Sequence, residues 1–251
     1  MEGKSLIGKT ALVTGAAKRI GRAIALELAA QGANIAAHYR HSAGEAEELR
    51  REIESYQVNC WLVQADFAVR TEYESLVDAA LDKAGALDIL VNSASIFPPS
   101  TVHDCTWEDM SASMQINAWA PFYISRSFAR KAGRGAIINL LDARIAGLDA
   151  NHVAYLLSKQ ALESFTRLMA LEFSPGVRVN GVAPGIILPP PATDDRSIKQ
   201  MIPAVPLKRQ GDVREIADAV LFLIKNEYIT GQVVYVDGGG HLAGAKEHAH
   251  G

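Results

Sequence analysis

Three side chains in the second half of the sequence have the types and spacing of a proton-transfer site. Tyr155 and Lys159 stand four residues apart, so on a helix they share one face. A free phenol titrates near ~10, and a lysine ammonium within a few ångström favours its phenolate. That pairing would make Tyr155 a proton donor near neutral pH. Asp142 lies thirteen residues before Tyr155 (155 − 142 = 13). An ionised aspartate accepts hydrogen bonds and cannot donate one. Such a site is ill suited to polarising a ketone oxygen. It suits a substrate offering N–H groups, such as the edge of an amino-substituted nitrogen heterocycle. Asn117 is the fourth candidate. Pro121 follows four residues later and has no N–H to return to the Asn117 carbonyl, so the helix should kink there. The freed carbonyl and the side-chain amide would hold an ordered water near Lys159.

A second group points to a nucleotide. Residues 14–21 read Thr-Gly-Ala-Ala-Lys-Arg-Ile-Gly between a strand-like run and a helical one. Gly15 and Gly21 let the backbone turn tightly and approach a pyrophosphate at a helix N-terminus. Lys18 and Arg19 add positive charge there, and an arginine fork holds an oxyanion in two places. The second strand ends in His38, Tyr39, Arg40, His41 and Ser42. A site for NAD places an acid near this end to hold the ribose 2′-hydroxyl, and none occurs before Glu45. Arg40, His41 and Ser42 instead suit a 2′-phosphate, so the expected cofactor is NADPH. Asp66 would accept from the adenine amino group, and Asn92 falls where strand ends line the cofactor crevice.

These residues need a scaffold that gathers strand ends. Strand-like runs cover 10–15, 33–39, 59–65, 88–94, 135–141, 177–184 and 232–237; several are continuously apolar, as strands covered on both faces are. Amphipathic helical runs cover 20–31, 45–56, 72–84, 107–131, 153–173 and 213–224, with Gly32 and Gly85 placed as helix stops. The alternation predicts an α/β fold: a doubly wound parallel sheet of about seven strands with helices on both faces. One domain over 1–242 is expected, with a proline-rich substrate loop at about 186–209 and a flexible tail at 243–251.

The chain has 251 residues, 49% of them hydrophobic and 21% charged, with a formal net charge of −3. That balance, without a basic run, argues against a nucleic-acid partner. No window approaches the ~18 apolar residues of a membrane span, and the N-terminus lacks a secretory apolar stretch. Cys60 and Cys105 form no metal-ligand pattern, so a cytoplasmic protein with reduced thiols and no metal is expected. His103, His152 and His241 receive no role.

Taken in order, the glycine-rich turn, Asp66, Asn92-Ser93-Ala94, Asn117, Tyr155 with Lys159, Pro184-Gly185 and Val236-Asp237-Gly238-Gly239 resemble the short-chain dehydrogenase/reductase family over essentially the whole chain. The resemblance implies a Rossmann-like fold and hydride transfer from a nicotinamide, with Tyr155 as acid and Lys159 holding the nicotinamide ribose. It extends the expected cofactor contacts to Ile20, Phe67, Ser93, Ala94, Pro184 and Gly185. Within that family the chain is similar to the pteridine reductases, which share an arginine in the glycine-rich turn (Arg19), a His-Tyr pair (His38-Tyr39) and an aspartate where others keep serine (Asp142). Carried over, Phe97 would stack on a pterin, Ser95 would bond substrate or phosphate, Arg19 would face both, and Leu188 would line the substrate site. Ser93 departs from a commoner asparagine, and residues 186–197 match no named subgroup, so biopterin-like, monapterin-like and folate-like substrates stay open.

The resemblance thus favours reduction of a pterin or dihydrofolate-like ring. The alternative is a ketone reductase of the 3-oxoacyl carrier-protein type, which would need a protonated Asp142 that the Lys159 ammonium opposes. A third reading is an NADPH-binding sensor without turnover. The helix at 153–173 is apolar on more than one face, and relatives pair such helices, so a homotetramer is expected.

Overall fold

The computed structural model describes residues 5–189 and 199–243. Most of the expected tail, and Pro190 and Pro191 of the expected loop, lie outside the described residues. Seven strands form one sheet: β1 (Thr10–Val13), β2 (Asn34–Tyr39), β3 (Cys60–Gln64), β4 (Ile89–Asn92), β5 (Gly135–Leu140), β6 (Val177–Pro184) and β7 (Val233–Val236). Their spatial order is β3-β2-β1-β4-β5-β6-β7, and every neighbouring pair runs parallel. The expected sheet is present strand for strand. Parallel strands need long crossovers, and helices fill them: α1 (Arg19–Ala30), α2 (Ala43–Glu54), α3 (Arg70–Ala84), α4 (Trp107–Met114), α5 (Ala120–Ala132), α6 (Val153–Glu172), α7 (Val213–Lys225) and the short α8 (Gly240–Ala243).

Strand side chains alternate between two cores, which is why both faces are apolar. Ala11, Val13, Ile35, Ile89 and Ile138 pack with Ile24 and Leu28 of α1, Leu49 of α2 and Val220 of α7. Leu12, Ala36, Leu90 and Ile137 pack with Leu76 of α3, Ile124 and Phe128 of α5 and Met169 of α6. The strand order reverses between β1 and β4, so the C-terminal ends of those strands open a crevice. Among the described residues, no helix is long and apolar enough to cross a membrane.

One expected element is divided. The run 107–131 becomes α4, a π-helical stretch at Gln115–Trp119, and α5. Pro121 sits in the first turn of α5, where its missing N–H is tolerated, and the extra residue per turn just before it absorbs the change of path. Thr106 caps α4 in a reciprocal capping box with Asp109, which fixes where the segment begins.

Candidate active site

The turn after β1 is built by close backbone contact. Gly15 has φ +64°, and a Cβ on it would lie 2.9 Å from the Ala94 Cα; one on Gly21 would lie 2.3 Å from the Gly15 carbonyl oxygen. Thr14, fully buried, accepts from the backbone N–H of Ser93 (2.9 Å) and Ala94 (3.1 Å), tying the β1 end to the β4 end. The sequence offered no sign of that role beyond the position of a threonine at a strand end.

His38 and Phe67 do not face the crevice, contrary to expectation. His38 is buried; its Nδ1 accepts from the Gly15 N–H (3.0 Å), which leaves the proton on Nε2 to donate to the Ala65 carbonyl (2.9 Å). Its ring stacks on Phe67 with centroids 4.6 Å apart, and burial pushes its pKa down to about 4. The pair is the floor under the glycine turn. Asn92 is a second correction. In the β4–β5 register it lies opposite Asn139, and its amide donates to Asn139 Oδ1 (2.8 Å) and Ser125 Oγ (2.9 Å) inside the protein.

Beside that turn a cleft of about 190 Å3 is lined by Gly15, Ala17, Lys18, Tyr39, Arg40, His41 and Ser42. Lys18 pairs with Glu45 at 2.5 Å, and Arg40 stands 3.9 Å from Asp66, whose carboxylate also accepts from the Ala68 N–H (2.9 Å). A glycine cradle at a helix start, opening onto a cleft with five basic or hydroxyl side chains, fits a nucleotide bearing phosphates. Ile20, the second residue of α1, packs against the core, and Arg19 has the left-handed φ of +56°. Its guanidinium donates to the Pro189 carbonyl at 2.7 Å, so it spans from the turn to the loop after β6. Pro184 ends β6, and Gly185 must be glycine because a Cβ there would lie 2.6 Å from the Asp237 Cα. Leu188 is half-buried against the core, and Ser95 is exposed past the β4 end.

The proton-transfer group assembles on β5 and α6. Asp142 follows β5 and caps a short helical turn, accepting from the Arg144 N–H at 2.8 Å through Oδ1. Tyr155 enters on the first turn of α6, which is anchored where Ser100 accepts from Val153 N–H (2.9 Å) and Ala154 N–H (3.1 Å). The Tyr155 hydroxyl donates to Asp142 Oδ2 at 2.8 Å. Here the expectation of a lysine-acidified phenol is overturned. Burial raises the Tyr155 pKa well above its ordinary value, and the charge and hydrogen bond of Asp142 raise it further. Lys159 Nζ stands 5.9 Å from the Tyr155 ring centre and donates to the Leu140 carbonyl at 2.7 Å. Burial lowers the Lys159 pKa to about 8, against the pull of Asp142. In this arrangement burial and Asp142 both favour the protonated phenol.

Asn117 is fully buried in the π-helical stretch, and its amide is occupied. It accepts from the Ile96 N–H (2.8 Å) and donates to the Ile96 carbonyl (3.0 Å) and Ser158 Oγ (3.0 Å). It pins the segment after β4 to α6 instead of presenting its side chain to water. That segment carries Phe97, edge-on to Tyr155 with centroids 4.6 Å apart. His152 stacks on Phe97 at 4.0 Å, and the Arg144 guanidinium lies 4.9 Å from the Phe97 ring centre. Arg144 and His152 both bond Asp149 Oδ2, at 3.1 and 3.0 Å. Arg144, Asp149 and His152 were missed in the sequence because an Arg two residues past an Asp has no signature of its own.

A larger cavity of about 500 Å3 opens between the loop residues Ile186, Ile187, Val205 and Leu207 and the β7 end, where His241 bonds Asp237 (2.8 Å) and stacks on Tyr235 (4.2 Å). Asp142, Tyr155 and Lys159 are not among its lining residues. Among the described residues, no group of three or more His, Cys, Asp or Glu side chains could hold a metal ion.

A family model described as enoyl-(acyl carrier protein) reductase matches residues 15–241. The chain belongs to the short-chain dehydrogenase/reductase family, whose members are nicotinamide-dependent oxidoreductases. It is 36% identical over 242 residues to the uncharacterized oxidoreductase YhdF of Bacillus subtilis, covering 93% of this chain and 84% of that protein. It is 34% identical to the 3-oxoacyl-(acyl-carrier-protein) reductase FabG of Staphylococcus epidermidis, covering 94% of this chain and all 100% of the relative. Among solved structures it superposes on FolM alternative dihydrofolate reductase 1 from Brucella suis in complex with NADP, with TM-score 0.90 and 32% identity over 94% of this chain and 96% of that one.

Proposed function

We propose that this protein is an NADPH-dependent reductase of pteridines, taking a dihydropterin, pterin or dihydrofolate-like ring to its reduced form. The observation that carries the reading is the 2.8 Å bond from Tyr155 to Asp142, an acceptor at the place where a substrate would meet the acid. NADPH would rest on the Gly15–Gly21 turn, with Arg40, His41 and Ser42 toward the 2′-phosphate; the NADP in the FolM neighbour supports this choice. When bound, its nicotinamide supplies the hydride that a ring C=N carbon accepts.

The chain's own residues supply the rest. Tyr155 gives its proton to the ring nitrogen by turning its hydroxyl away from Asp142, a rotation about one C–O bond. Asp142 Oδ2, released from Tyr155, accepts an N–H of the substrate. Lys159, tied to the Leu140 carbonyl beneath the site, would hold the nicotinamide ribose. Asn117 keeps Phe97 against Tyr155 through Ile96, so an aromatic substrate has a ring to stack on. We further propose that the protein works as a homotetramer in the cytoplasm.

The FabG relatives favour a second reading, reduction of a 3-oxoacyl thioester. The two separate in one assay, NADPH absorbance followed with a dihydropterin or with a 3-oxoacyl thioester. Turnover of the pterin alone, with Tyr155→Phe losing roughly 100-fold or more on an oxidised pterin, supports the proposal. Turnover of the thioester alone sinks it.

A further inference from the structure

Arg144 holds the seat that a substrate of Tyr155 must take. Any molecule that receives the Tyr155 proton lies beside its hydroxyl, with Asp142 as the neighbouring acceptor and Phe97 as the flanking ring. Those two groups already have a partner. Arg144 Nη1 stands 3.4 Å from Asp142 Oδ2, and its guanidinium lies 4.9 Å from the centre of the Phe97 ring. A flat cation over an aromatic face and a donor pointed at a carboxylate are two contacts one planar group can make at once.

The second carboxylate makes this a hinged contact. Arg144 Nε bonds Asp149 Oδ2 at 3.1 Å, a shorter contact than the 3.4 Å to Asp142. Asp149 is in turn fixed by its own bond to His152 at 3.0 Å, and His152 stacks on Phe97 at 4.0 Å. The guanidinium can thus leave Asp142 while Asp149 still holds it, and a third of its side chain is exposed, so water can take the freed N–H groups. Two carboxylates already balance its charge, so Arg144 has little attraction left for an anionic substrate.

We propose that Arg144 is a specificity-determining residue: its guanidinium stands in for the N–C(NH2)–N edge of a 2-aminopyrimidine ring, and only a substrate carrying that edge can displace it. An aminopyrimidine returns both things the arginine gives up, a donor on Asp142 and a flat ring on Phe97. A ketone brings only an acceptor, and would leave Asp142 without the N–H it loses. The inference rests on the pteridine reading, and its test is built to tell the two apart.

The test uses NADPH-loaded wild type, Arg144→Ala and Arg144→Met, the last keeping a long side chain against Phe97 in case the alanine variant folds poorly. A dihydropterin is titrated into each, with binding read by fluorescence. Both variants should bind it roughly three- to thirtyfold more tightly than wild type, the cost of one cation–π contact and one loose ion pair. Separately, methylguanidinium at millimolar concentration should raise the melting temperature of Arg144→Ala and leave wild type unmoved. Weaker pterin binding in both variants would mean that Arg144 helps hold the substrate, and overturns the proposal. Equal pterin binding with no methylguanidinium effect overturns it as well. Methylguanidinium binding to Arg144→Ala, with no pterin bound by any form, upholds the seat and removes the pteridine reading instead.

Discussion

Lys159 shows the cost of function at the scale of one residue. It is buried with its pKa lowered to about 8, so at pH 7 the fold carries a charge that burial disfavours. Lys159→Met should abolish turnover yet make the ligand-free protein more stable at pH 7, by about 1–2 kcal/mol once the lost bond to Leu140 is allowed for. The sign of the pH dependence is fixed. Below about 8 both folded and unfolded chains hold the proton and the penalty is complete. Between there and the ordinary lysine value of ~10.4 the unfolded chain binds more protons, so wild type gains stability as pH rises and the variant's advantage shrinks. Urea midpoints of both proteins at pH 7, 9 and 10 check this. His38 acts in the opposite range. Its pKa of about 4 against ~6.5 in the unfolded chain means that its stability is whole above ~6.5 and is lost as pH falls toward 4, at up to about 1.4 kcal/mol per pH unit. His38→Asn should flatten that slope in urea melts between pH 7 and 4.5.

At the scale of the element, two segments are bent to serve the site. The first turn of α1 sets Arg19 at φ +56°, a conformation that costs a non-glycine residue about 1 kcal/mol. Arg19→Gly should therefore raise the melting temperature by a few degrees while weakening NADPH binding roughly tenfold; calorimetry and a fluorescence titration measure the two effects. A stable variant with unchanged NADPH affinity would remove Arg19 from the cofactor site. The second segment is the π-helical stretch at Gln115–Trp119. Three hydrogen bonds from the Asn117 amide, each worth about 1 kcal/mol, outweigh anything Pro121 contributes from a first-turn position where proline is tolerated. Asn117→Ala is expected to lower stability by about 2–4 kcal/mol and kcat with it, whereas Pro121→Ala should leave both nearly as they were. Strong loss in the proline variant would assign the stretch to Pro121 instead.

For the whole molecule, the helix that carries Tyr155 also leaves three leucines exposed. Leu157, Leu168 and Leu171 of α6 are 44%, 60% and 80% exposed, and Trp119, the last residue of the π-helical stretch, is exposed as well. A row of this kind on the helix that carries Tyr155 suits contact with another copy of the chain. Leu168→Glu with Leu171→Glu should reduce the mass seen by light scattering from that of the proposed tetramer to a smaller species, and an unchanged mass would place the interface elsewhere.

The continuous apolar runs, the amphipathic helical runs between them and the glycine stops made the seven strands and their order of appearance legible, because burial on both sheet faces leaves little alternation in a strand. The four-residue spacing of Tyr155 and Lys159 likewise put them on one helix face. The sequence determined that much. Only the tertiary structure decided which way each polar side chain turns. Asn92 and His38 lie where strand ends should greet a cofactor, yet the register with Asn139 and the Gly15 turn draw them inward. The Tyr155 phenol, expected to be acidified by Lys159, is instead held neutral by burial and by Asp142. Spacing fixes which residues share an element. It does not fix the desolvation and the partners, several of them backbone groups far along the chain, that set what each residue can do.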